Sequence, residues 1–276
     1  MVEDGREGAA VTAERVADLL ARVRERRPLV HHITNFVTAG DVANVTLALG
    51  AAPVMTQAPE EVEEMASQAA ALVLNIGTLT TQAVAAMIKA GHRANARGIP
   101  VILDPVGVGA TGFRTAQAHQ ILAEVRCACV RGNAGEIAAL GGKPGAVRGV
   151  DAAGVVGGLP DLARRLARET RAAIAATGVE DLVTDGTATV RIANGHPLLA
   201  RITGSGCMVT ASVAAANAVE PDPLAATVAG LVWFEVAAEC AAKRAGGPGT
   251  FRAALIDAVA ALDRATIEDR ARILAG

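Results

Sequence analysis

The 276-residue sequence contains no tyrosine, and aromatic residues make up only 2% of the chain. Proteins that bind single-stranded nucleic acid stack bases on aromatic rings, so this scarcity disfavours that class. An excess of charge is also absent, since 26 Lys and Arg face 28 Asp and Glu. Nothing in this balance favours nucleic acid or an anionic membrane as a partner. The 51% of hydrophobic residues must pack mainly as Ala, Val, Leu and Ile, which is typical of helices packed on a sheet.

Cysteines and long apolar runs are scarce as well. Four cysteines do not make a disulfide framework in a chain of this length, and none has the C-x-x-C spacing of a metal site. The first ten residues contain no apolar segment of the kind that marks a secretory signal. The charge-free apolar stretches 69–74 and 224–234 are too short to span a membrane. We therefore expect a reduced, cytoplasmic protein without a membrane partner.

Helical and strand patterns alternate along the chain. Apolar spacing predicts a first helix that Thr12 caps and Pro28 ends, and a later helix that begins at Thr80 or Thr81 and ends at Gly98. Strands are predicted at 71–76, 100–103, 127–130, 173–176, 182–184 and 189–192, and further helices at 162–169, 207–218, 224–242 and 251–272. This order indicates an α/β fold with a central, mostly parallel sheet flanked by helices. The Gly-rich stretch 141–158 is predicted to be a loop. It is too short to separate two domains, so we expect a single domain over residues 1–276.

Polar residues follow three of the predicted strands. Asp104 ends one apolar strand, Arg131 and Asn133 follow the next, and Thr177 ends a third. Ligands of open α/β sheets bind at the carboxyl ends of the strands, so these residues together predict one site. Taken singly, each of them is equally compatible with ordinary turn chemistry.

A Gly-x-Gly turn formed by Gly204, Ser205 and Gly206 opens onto a helix of small residues. Unpaired backbone N–H groups and the helix dipole make such a turn an anion site. No Lys-Ser/Thr follows the second glycine, which excludes a Walker A loop, and no third glycine supports a dinucleotide fingerprint. The alternative is a Gly-rich helix start with a buried free cysteine. Cys207 falls in the first turn, where we expect the dipole to lower the pKa of its thiol.

The motif Asn133-Ala134-Gly135-Glu136 places an amide and a carboxylate three residues apart at a helix start. Both groups can face a hydrated Mg²⁺ beside phosphates, or they can form a capping box. Asp104 is a second acidic candidate, with a turn before Pro105 as its alternative. Arg131 is a candidate phosphate contact, with a solvated surface charge as its alternative.

Several motifs, in this order, resemble hydroxyethylthiazole kinases of the ribokinase-like superfamily. The resemblance runs from His31 to Asp257. Its motifs are His31-His32-Ile33-Thr34-Asn35-Phe36-Val37, Ala43-Asn44, Pro53-Val54-Met55, the acidic stretch 60–64, Leu74-Asn75-Ile76-Gly77-Thr78-Leu79, Asp104-Pro105-Val106-Gly107, Arg131-Gly132-Asn133-Ala134-Gly135-Glu136, Arg148-Gly149-Val150-Asp151, residues 203–208 and Gly247-Pro248-Gly249-Thr250-Phe251. So many matches in one order are more specific than any single motif. The resemblance implies a ribokinase-like layered fold.

The resemblance also implies a thiazole pocket. Asn35, Val37 and Met55 match its substrate-binding positions, and Gly204 and Cys207 match its reacting end. Proteins of this kind form homotrimers with the thiazole site at subunit contacts. Many sugar kinases of the superfamily carry Asp where this chain has Cys207, so we interpret this cysteine as a candidate general base.

For the co-substrate, the resemblance implies that Arg131 and Thr177 bind ATP, while Asp104 and Glu136 hold Mg²⁺ and its waters. The expected reaction transfers the ATP γ-phosphoryl group to the hydroxyl of 4-methyl-5-(2-hydroxyethyl)thiazole in thiamine biosynthesis. The turn that contains Gly206 would hold the moving group, because such transfer depends mostly on positioning and charge stabilisation.

Three other functions remain open at this point. The first is another kinase of the superfamily, acting on a pyrimidine or pyridoxal-type alcohol. The second is a non-catalytic nucleotide-binding regulator, which Asp104, Glu136 and Cys207 together disfavour. The third, an NAD-dependent oxidoreductase, lacks an early glycine fingerprint.

Overall fold

The computed structural model of the chain describes residues 11–142, 147–148, 151–152 and 157–276. Its helices are α1 (Ala13–Arg26), α2 (Ala39–Ala48), α3 (Val62–Gln68), α4 (Thr81–Ala96), α5 (Gly112–Glu124), α6 (Ala134–Leu140), α7 (Leu159–Thr170), α8 (Ser205–Asn217), α9 (Pro223–Ala242), α10 (Pro248–Ala261) and α11 (Arg264–Arg270). Its strands are β1 (Leu29–Ile33), β2 (Ala52–Val54), β3 (Ala71–Asn75), β4 (Val101–Asp104), β5 (Cys129–Asn133), β6 (Val147–Arg148), β7 (Asp151–Ala152), β8 (Ala173–Thr177), β9 (Asp181–Thr184), β10 (Thr189–Ile192) and β11 (Ile273–Ala275).

Nine of these strands form one sheet in the order β11-β10-β9-β8-β5-β4-β3-β1-β2. The six strands from β2 to β8 are parallel to one another, and β9, β10 and β11 continue the sheet as antiparallel neighbours. The prediction of a mostly parallel α/β sheet flanked by helices is confirmed. The short strands β6 and β7 pair separately.

The sheet lies between two layers of helices because successive strand residues face opposite sides. On β3, Val73 packs against the core that contains α1, α8, α9 and α10. Its neighbours Leu72 and Leu74 pack against the core that contains α4, α5 and α7. The buried helix α9 is anchored to α1, since Trp233 Nε1 donates a hydrogen bond of 2.9 Å to the carbonyl oxygen of Val16.

Helix α9 is long and apolar enough to cross a membrane by length and composition alone. It extends beyond the charge-free stretch seen in the sequence, although 89% of its most apolar window is buried inside the fold. Its hydrophobicity is therefore explained by its central place among the other helices.

The predicted helix starts are confirmed where a side chain caps them. Thr12 accepts a hydrogen bond from the backbone N–H of Arg15, and Thr80 accepts one from that of Ala83. The prediction of one helix over 251–272 is wrong. Helix α10 ends at Ala261, and Asp263 caps a separate helix α11 by accepting from the backbone N–H of Thr266.

Other elements also differ from the predictions, and helices α2, α3 and α5 were not predicted. Strands β1, β2 and β11 were not recognised, because β2 and β11 are too short for a clear pattern and β1 contains two histidines. The predicted strand at 127–130 begins and ends two to three residues later, as β5 (Cys129–Asn133). Most of the predicted loop at 141–158 lies outside the described residues, apart from β6, β7 and the residues at either end.

Candidate active site

The carboxyl ends of four parallel strands bring the predicted polar residues to one edge of the sheet. Asn75 at the end of β3 lies opposite Asp104 at the end of β4. Asn133 at the end of β5 lies opposite Thr177 at the end of β8. Helix α8 begins above this edge and contacts β3, β4 and β5. The strands and one helix start therefore converge, as the sequence predicted.

Asp104 is fully buried at the centre of this edge. Its Oδ2 accepts hydrogen bonds from Asn75 Nδ2 at 2.7 Å and from Thr210 Oγ1 at 2.9 Å. Its Oδ1 has no hydrogen-bond partner and lies 3.9 Å from Arg131 Nη1. Burial raises the pKa of the Asp104 carboxyl, and the charge of Arg131 opposes that rise. One oxygen of a buried carboxylate thus stays free to bind a further group.

Cys207, in the first turn of α8, lies close to this carboxylate. Its Sγ accepts hydrogen bonds from Asn35 Nδ2 and from Asn75 Nδ2, each at 3.3 Å. Burial raises the pKa of the thiol, the charge of Asp104 raises it further, and hydrogen bonds from Thr38 and the two amides oppose the rise. The expectation of a lowered pKa is therefore wrong, because desolvation and a neighbouring anion outweigh the groups that favour the thiolate.

The Gly-x-Gly turn needs glycine at both positions, for different reasons. Gly204 has a φ of +84°, and a Cβ there would lie 2.4 Å from Cγ2 of Thr38. Gly206 already belongs to α8, and a Cβ there would lie 2.7 Å from Arg131 Nη1. The second glycine thus lets the guanidinium approach the helix backbone closely.

Glu136 forms the capping box that was one of its two interpretations. The Asn133 side chain accepts from the backbone N–H of Glu136 at 2.9 Å, and Glu136 Oε2 accepts from that of Asn133 at 2.8 Å. Glu136 Oε1 accepts from the backbone N–H of Gly107 at 2.7 Å. Burial, with Asp104 nearby, raises the pKa of this carboxyl to about 7. Glu136 thus ties β5 and α6 to the loop after β4.

A hydrated Mg²⁺ fits these residues through its waters. Among the described residues, no group of three or more His, Cys, Asp or Glu side chains could hold a metal ion by itself. Magnesium in phosphate-transfer sites is held by one or two carboxylates, the phosphates and several waters, so a larger group is not required. The unpartnered Oδ1 of buried Asp104 is the atom that fits best, and Glu136 adds charge beside it.

Two neighbouring cavities open at this edge of the sheet. A cavity of about 480 Å³ is lined by Asp104, Val106, Arg131, Asn133, Glu136, residues 199–203, Gly204, Ser205, Gly206 and Cys207. A smaller one of about 190 Å³ is lined by Arg131, Thr177, Gly178, Asp181, Leu199, Ala200, Ser205, Gly206, Val209, Phe234 and Glu235. Arg131 belongs to both, and its Nη2 donates a hydrogen bond to Thr177 Oγ1. The predicted ATP, metal and reacting-end residues are therefore brought together.

The predicted thiazole-pocket residues divide into two groups. Asn35 is buried beside Cys207 and forms part of the site network. Val37 and Met55 line neither cavity and are 59% and 36% exposed. Phe36 and Leu47, from the same part of the chain, are 79% and 57% exposed. The structure of one chain thus leaves the predicted apolar wall of the pocket open to solvent.

A cleft of about 620 Å³ opens at the opposite edge of the sheet, where β4 and β5 begin. Arg26, Arg126 and Arg171 lie around it, at or just beyond the ends of α1, α5 and α7. Cations at these places complement the negative ends of helix dipoles, which accounts for them. The cleft lies at the edge away from the buried polar groups described above.

Several residues of the site were missed in the sequence. Asn75 could have been found, because it ends β3 beside Asp104 just as the other candidates end their strands. Thr210 follows Cys207 by three residues on α8 and so shares its helix face. Arg114 gave no signal, yet its guanidinium donates to the carbonyl oxygens of Ile76, Gly77 and Val106 and holds two loops of the site together.

Comparison with solved structures identifies the fold. A ribokinase-like superfamily protein from Enterococcus faecalis matches with a TM-score of 0.62 at 14% identity, covering 88% of this chain and 93% of that one. The pyridoxal kinase of Staphylococcus aureus matches with a TM-score of 0.57 at 15% identity, covering 76% of this chain and 87% of that one. At these identities the likeness shows the fold alone, which is the ribokinase-like kinase fold.

Residues 20–265 match the model of the hydroxyethylthiazole kinase family. The hydroxyethylthiazole kinase of Methanoculleus marisnigri is 50% identical over 276 residues, 99% of both chains. A hydroxyethylthiazole kinase structure from Pyrococcus horikoshii has a TM-score of 0.87 at 44% identity and covers 95% of this chain and 98% of that one. The chain belongs to the hydroxyethylthiazole kinase family, and the family resemblance seen in the sequence is confirmed.

The raised pKa of Glu136 predicts a pH-dependent cost in stability. A carboxyl whose folded-state pKa is above its unfolded-state value stabilises the fold at low pH, and that contribution is lost as pH rises. For Glu136 the loss falls between about pH 4.5 and about pH 7 and is on the order of 3 kcal/mol. Glu136→Gln replaces one of the two acceptor oxygens with an NH₂ group, so the backbone N–H of Gly107 or of Asn133 loses its partner. The variant therefore starts less stable at low pH but lacks this loss.

The stability deficit of Glu136→Gln should therefore shrink as pH rises through this window. Urea unfolding of both proteins without Mg²⁺, at several pH values, measures the difference in unfolding free energy. A deficit that stays constant across the window would show that Glu136 is ionised throughout and that its burial is compensated.

Proposed function

We propose that this chain transfers the γ-phosphoryl group of ATP to the primary hydroxyl of 4-methyl-5-(2-hydroxyethyl)thiazole, a step of thiamine biosynthesis. The observation that supports this most strongly is the 480 Å³ cavity at the strand ends, in a chain of the hydroxyethylthiazole kinase family. Its lining joins a cation, an unpartnered carboxylate oxygen and the start of a helix, which are the groups that phosphoryl transfer uses.

Each residue has a proposed role that follows from its position at the two cavities. Arg131 and Thr177, joined by a hydrogen bond, bind the ATP phosphates at the junction of the two cavities. The backbone N–H groups of the turn with Gly204 and Gly206 hold the transferred phosphoryl group against the positive end of α8. Asn35, which touches Cys207, aligns the thiazole alcohol at the reacting end. Catalysis then comes mostly from holding acceptor and phosphate in line.

Asp104 and Glu136 are the residues that hold Mg²⁺ and its waters in this proposal. The unpartnered Asp104 Oδ1 and the presence of a second carboxyl, that of Glu136, on the same cavity support the assignment. Bound Mg²⁺ neutralises charge on the phosphate oxygens. The two carboxylates also set the distance between β4, β5 and α6, since Glu136 holds the Gly107 and Asn133 backbones.

A phosphorylation assay with ATP, Mg²⁺ and a panel of alcohols tests the function. We expect the hydroxyethylthiazole to be phosphorylated with a kcat/KM at least about 10²-fold above those of a hydroxymethylpyrimidine, pyridoxal and ribose. Preference for one of the others would assign the chain to a different kinase of the fold. Binding of ATP without turnover of any alcohol would identify a nucleotide-binding regulator instead.

Cys207 is the proposed proton acceptor for the substrate hydroxyl. Because burial and Asp104 raise the pKa of its thiol, kcat should rise with pH above neutrality as the thiolate fraction grows. Cys207→Ala should lower kcat by about 10²–10⁴, the usual contribution of a general base. Cys207→Asp should keep or raise the activity at neutral pH, because a carboxylate is a ready acceptor.

Measuring kcat against pH for both variants tests whether Cys207 is the proton acceptor. Cys240→Ala is a suitable control, since Cys240 is a free cysteine on α9 that lines neither cavity. An alanine variant with nearly full activity and an unchanged pH profile would show that Cys207 only packs beneath the substrate. In that case Cys207→Asp should be harmful, because it would bury an uncompensated charge.

We also propose that the active form is a homotrimer with the thiazole pocket at the contact between subunits. Phe36, Val37, Leu47 and Met55 supply exposed apolar surface, and all four belong to the segments around edge strand β2. Exposed apolar groups clustered beside an unpaired sheet edge mark an interaction surface. A second copy covering them would complete the wall of the pocket that one chain leaves open.

Leu47→Glu should weaken this assembly by at least tenfold, about 1.4 kcal/mol, because it places an unpaired charge in the interface. Analytical ultracentrifugation should give three chain masses for the natural protein and smaller species for the variant. Val179→Glu is the control, since Val179 is fully exposed at the turn between β8 and β9. A natural protein that sediments as one chain at micromolar concentration would contradict the trimer.

Two broader features complete the proposal. Residues 1–276 form one kinase domain, which is supported by the membership of β1 and β11 in the same sheet. The protein works in the cytoplasm, which is supported by its four free cysteines and by ATP as co-substrate.

A further inference from the structure

A pair of buried acids at the smaller cavity has no role in the function described above. Asp181 begins β9 and Glu235 lies in the middle of α9, and both side chains line the 190 Å³ cavity. Asp181 is 2% exposed and Glu235 is 7% exposed. Asp181 Oδ1 accepts from the backbone N–H of Gly178 at 2.9 Å, but Asp181 Oδ2 and Glu235 Oε2 have no hydrogen-bond partner.

Comparison with the neighbouring glutamate of α9 shows that a buried carboxyl with an unpartnered oxygen is unusual here. Glu239, one turn after Glu235, accepts hydrogen bonds from Asn194 Nδ2, from the backbone N–H of Gly195 and from the guanidinium of Arg272. That glutamate has the partners that a poorly hydrated carboxylate requires. Glu235 has an unpartnered oxygen, although it is more deeply buried. Its carboxyl is therefore balanced by something other than a fixed donor.

The charged groups around the pair are few. Asp181 from β9, Arg131 from β5 and Glu239 from α9 itself act on Glu235, and Arg131 also acts on Asp181. Asp104 and Glu136 also act on this guanidinium, so the two carboxylates of the pair leave at least one excess negative charge. A single proton removes one such charge, and burial together with Asp181 raises the pKa of Glu235 well above its usual value.

We propose that Asp181 and Glu235 hold one proton between them and act as positioning residues for the nucleotide phosphates through Arg131. This rests on the proposed function, because it requires ATP phosphates at the cavity that Arg131 and Thr177 share. With the proton bound, one negative charge faces Arg131, and the guanidinium attracts phosphate. When the proton is lost, the second carboxylate faces the same cavity and repels the phosphates.

The charge of the pair determines how nucleotide affinity changes with pH. Nucleotide affinity should fall as pH rises through the titration of the pair. At saturating ATP the natural protein and Glu235→Gln should share one profile of kcat against pH, because the pair acts on nucleotide binding and not on the proton acceptor. Glu235→Gln keeps the shape of the side chain and fixes its charge at zero, so its affinity should lack this fall. Asp181→Asn removes the anion that helps Glu235 to keep its proton, so Glu235 should ionise at lower pH and the fall should begin earlier.

The experiment measures the Kd of ADP by calorimetry from about pH 6 to about pH 9 for the natural protein and for each variant. The ratio of the natural Kd to the Glu235→Gln Kd cancels the ionisation of ADP itself. We expect this ratio to grow roughly three- to tenfold with pH, the size of one added charge near a phosphate site. Glu180→Gln is the matched control, because Glu180 is adjacent to Asp181 in sequence but pairs with Arg191 away from the cavity.

Thermal unfolding without nucleotide gives a readout that does not depend on ATP. Because the folded-state pKa of Glu235 is raised, its burial costs more stability as pH rises, and Glu235→Gln should gain in Tm over the natural protein in the same direction. Repeating the ADP titrations with choline in place of Na⁺ and K⁺ separates a proton from a bound cation. An effect of Glu235 that vanishes in choline would overturn the shared proton.

The remaining outcomes separate this proposal from the proposed function. If the natural protein binds no ADP, both fail. If it binds ADP and the Kd profiles of the natural protein and Glu235→Gln run parallel, only the role of the acid pair fails. Should Glu235→Gln not fold, an unchanged onset of the affinity loss in Asp181→Asn would overturn the proposal by itself.

Discussion

The buried carboxylate of Asp104 is the constraint on which the site depends. A charge without access to water is costly unless donors or an opposite charge surround it. Asp104 has two hydrogen-bond donors and one nearby cation, and these come from three different elements. Asn75 comes from β3, Thr210 from α8 and Arg131 from β5. Because Asp104 requires these groups, the start of α8 is held over the ends of β3, β4 and β5. The same contacts place Cys207 and the glycine turn, because both lie within two turns of Thr210 at the start of α8.

The charge balance around Arg131 extends this constraint to the whole site. Its guanidinium acts on four buried carboxyls, those of Asp104, Glu136, Asp181 and Glu235. If all four were ionised, the cavity would repel the phosphates of a nucleotide. Each pair must therefore bind a proton or a metal ion before a polyanion can enter. In the proposed function, Mg²⁺ beside the first pair and a proton on the second would meet this requirement.

Features that depend on residues close together in the chain can be predicted from the sequence, and features that depend on distant residues cannot. Local patterns predicted the capped helices, the parallel strands and the polar residues at the strand ends, because each depends on neighbours in the chain. The break between α10 and α11 was missed, since a single capping residue, Asp263, outweighs a continuous apolar pattern. The place of Arg131 in the sequence made it a candidate phosphate contact, whereas the proposed ATP-binding role of Thr177 comes from the family resemblance.

Other parts of the site could not be predicted, since they depend on contacts between distant segments. Asp181 and Glu235 are 54 residues apart, and only the packing of α9 against β9 puts both on one cavity. The pKa of Cys207 was mispredicted for the same reason. Its helix position is visible in the sequence, but the burial and the anion that outweigh the helix dipole belong to the tertiary structure.

The thiol at position 207 is best understood from the same charge balance. A carboxylate there would lie beside Asp104, which already has a raised pKa, and would favour protonation of one of the two. A neutral thiol adds no second charge beside the Asp104 carboxyl, whose Oδ1 has no hydrogen-bond partner. Asn35 and Asn75 both donate to the sulfur, so a thiolate formed during the reaction would be stabilised where it arises. In the proposed mechanism the same two amides would also stabilise a carboxylate at position 207, so Cys207→Asp can remain active although it adds a second anion beside Asp104.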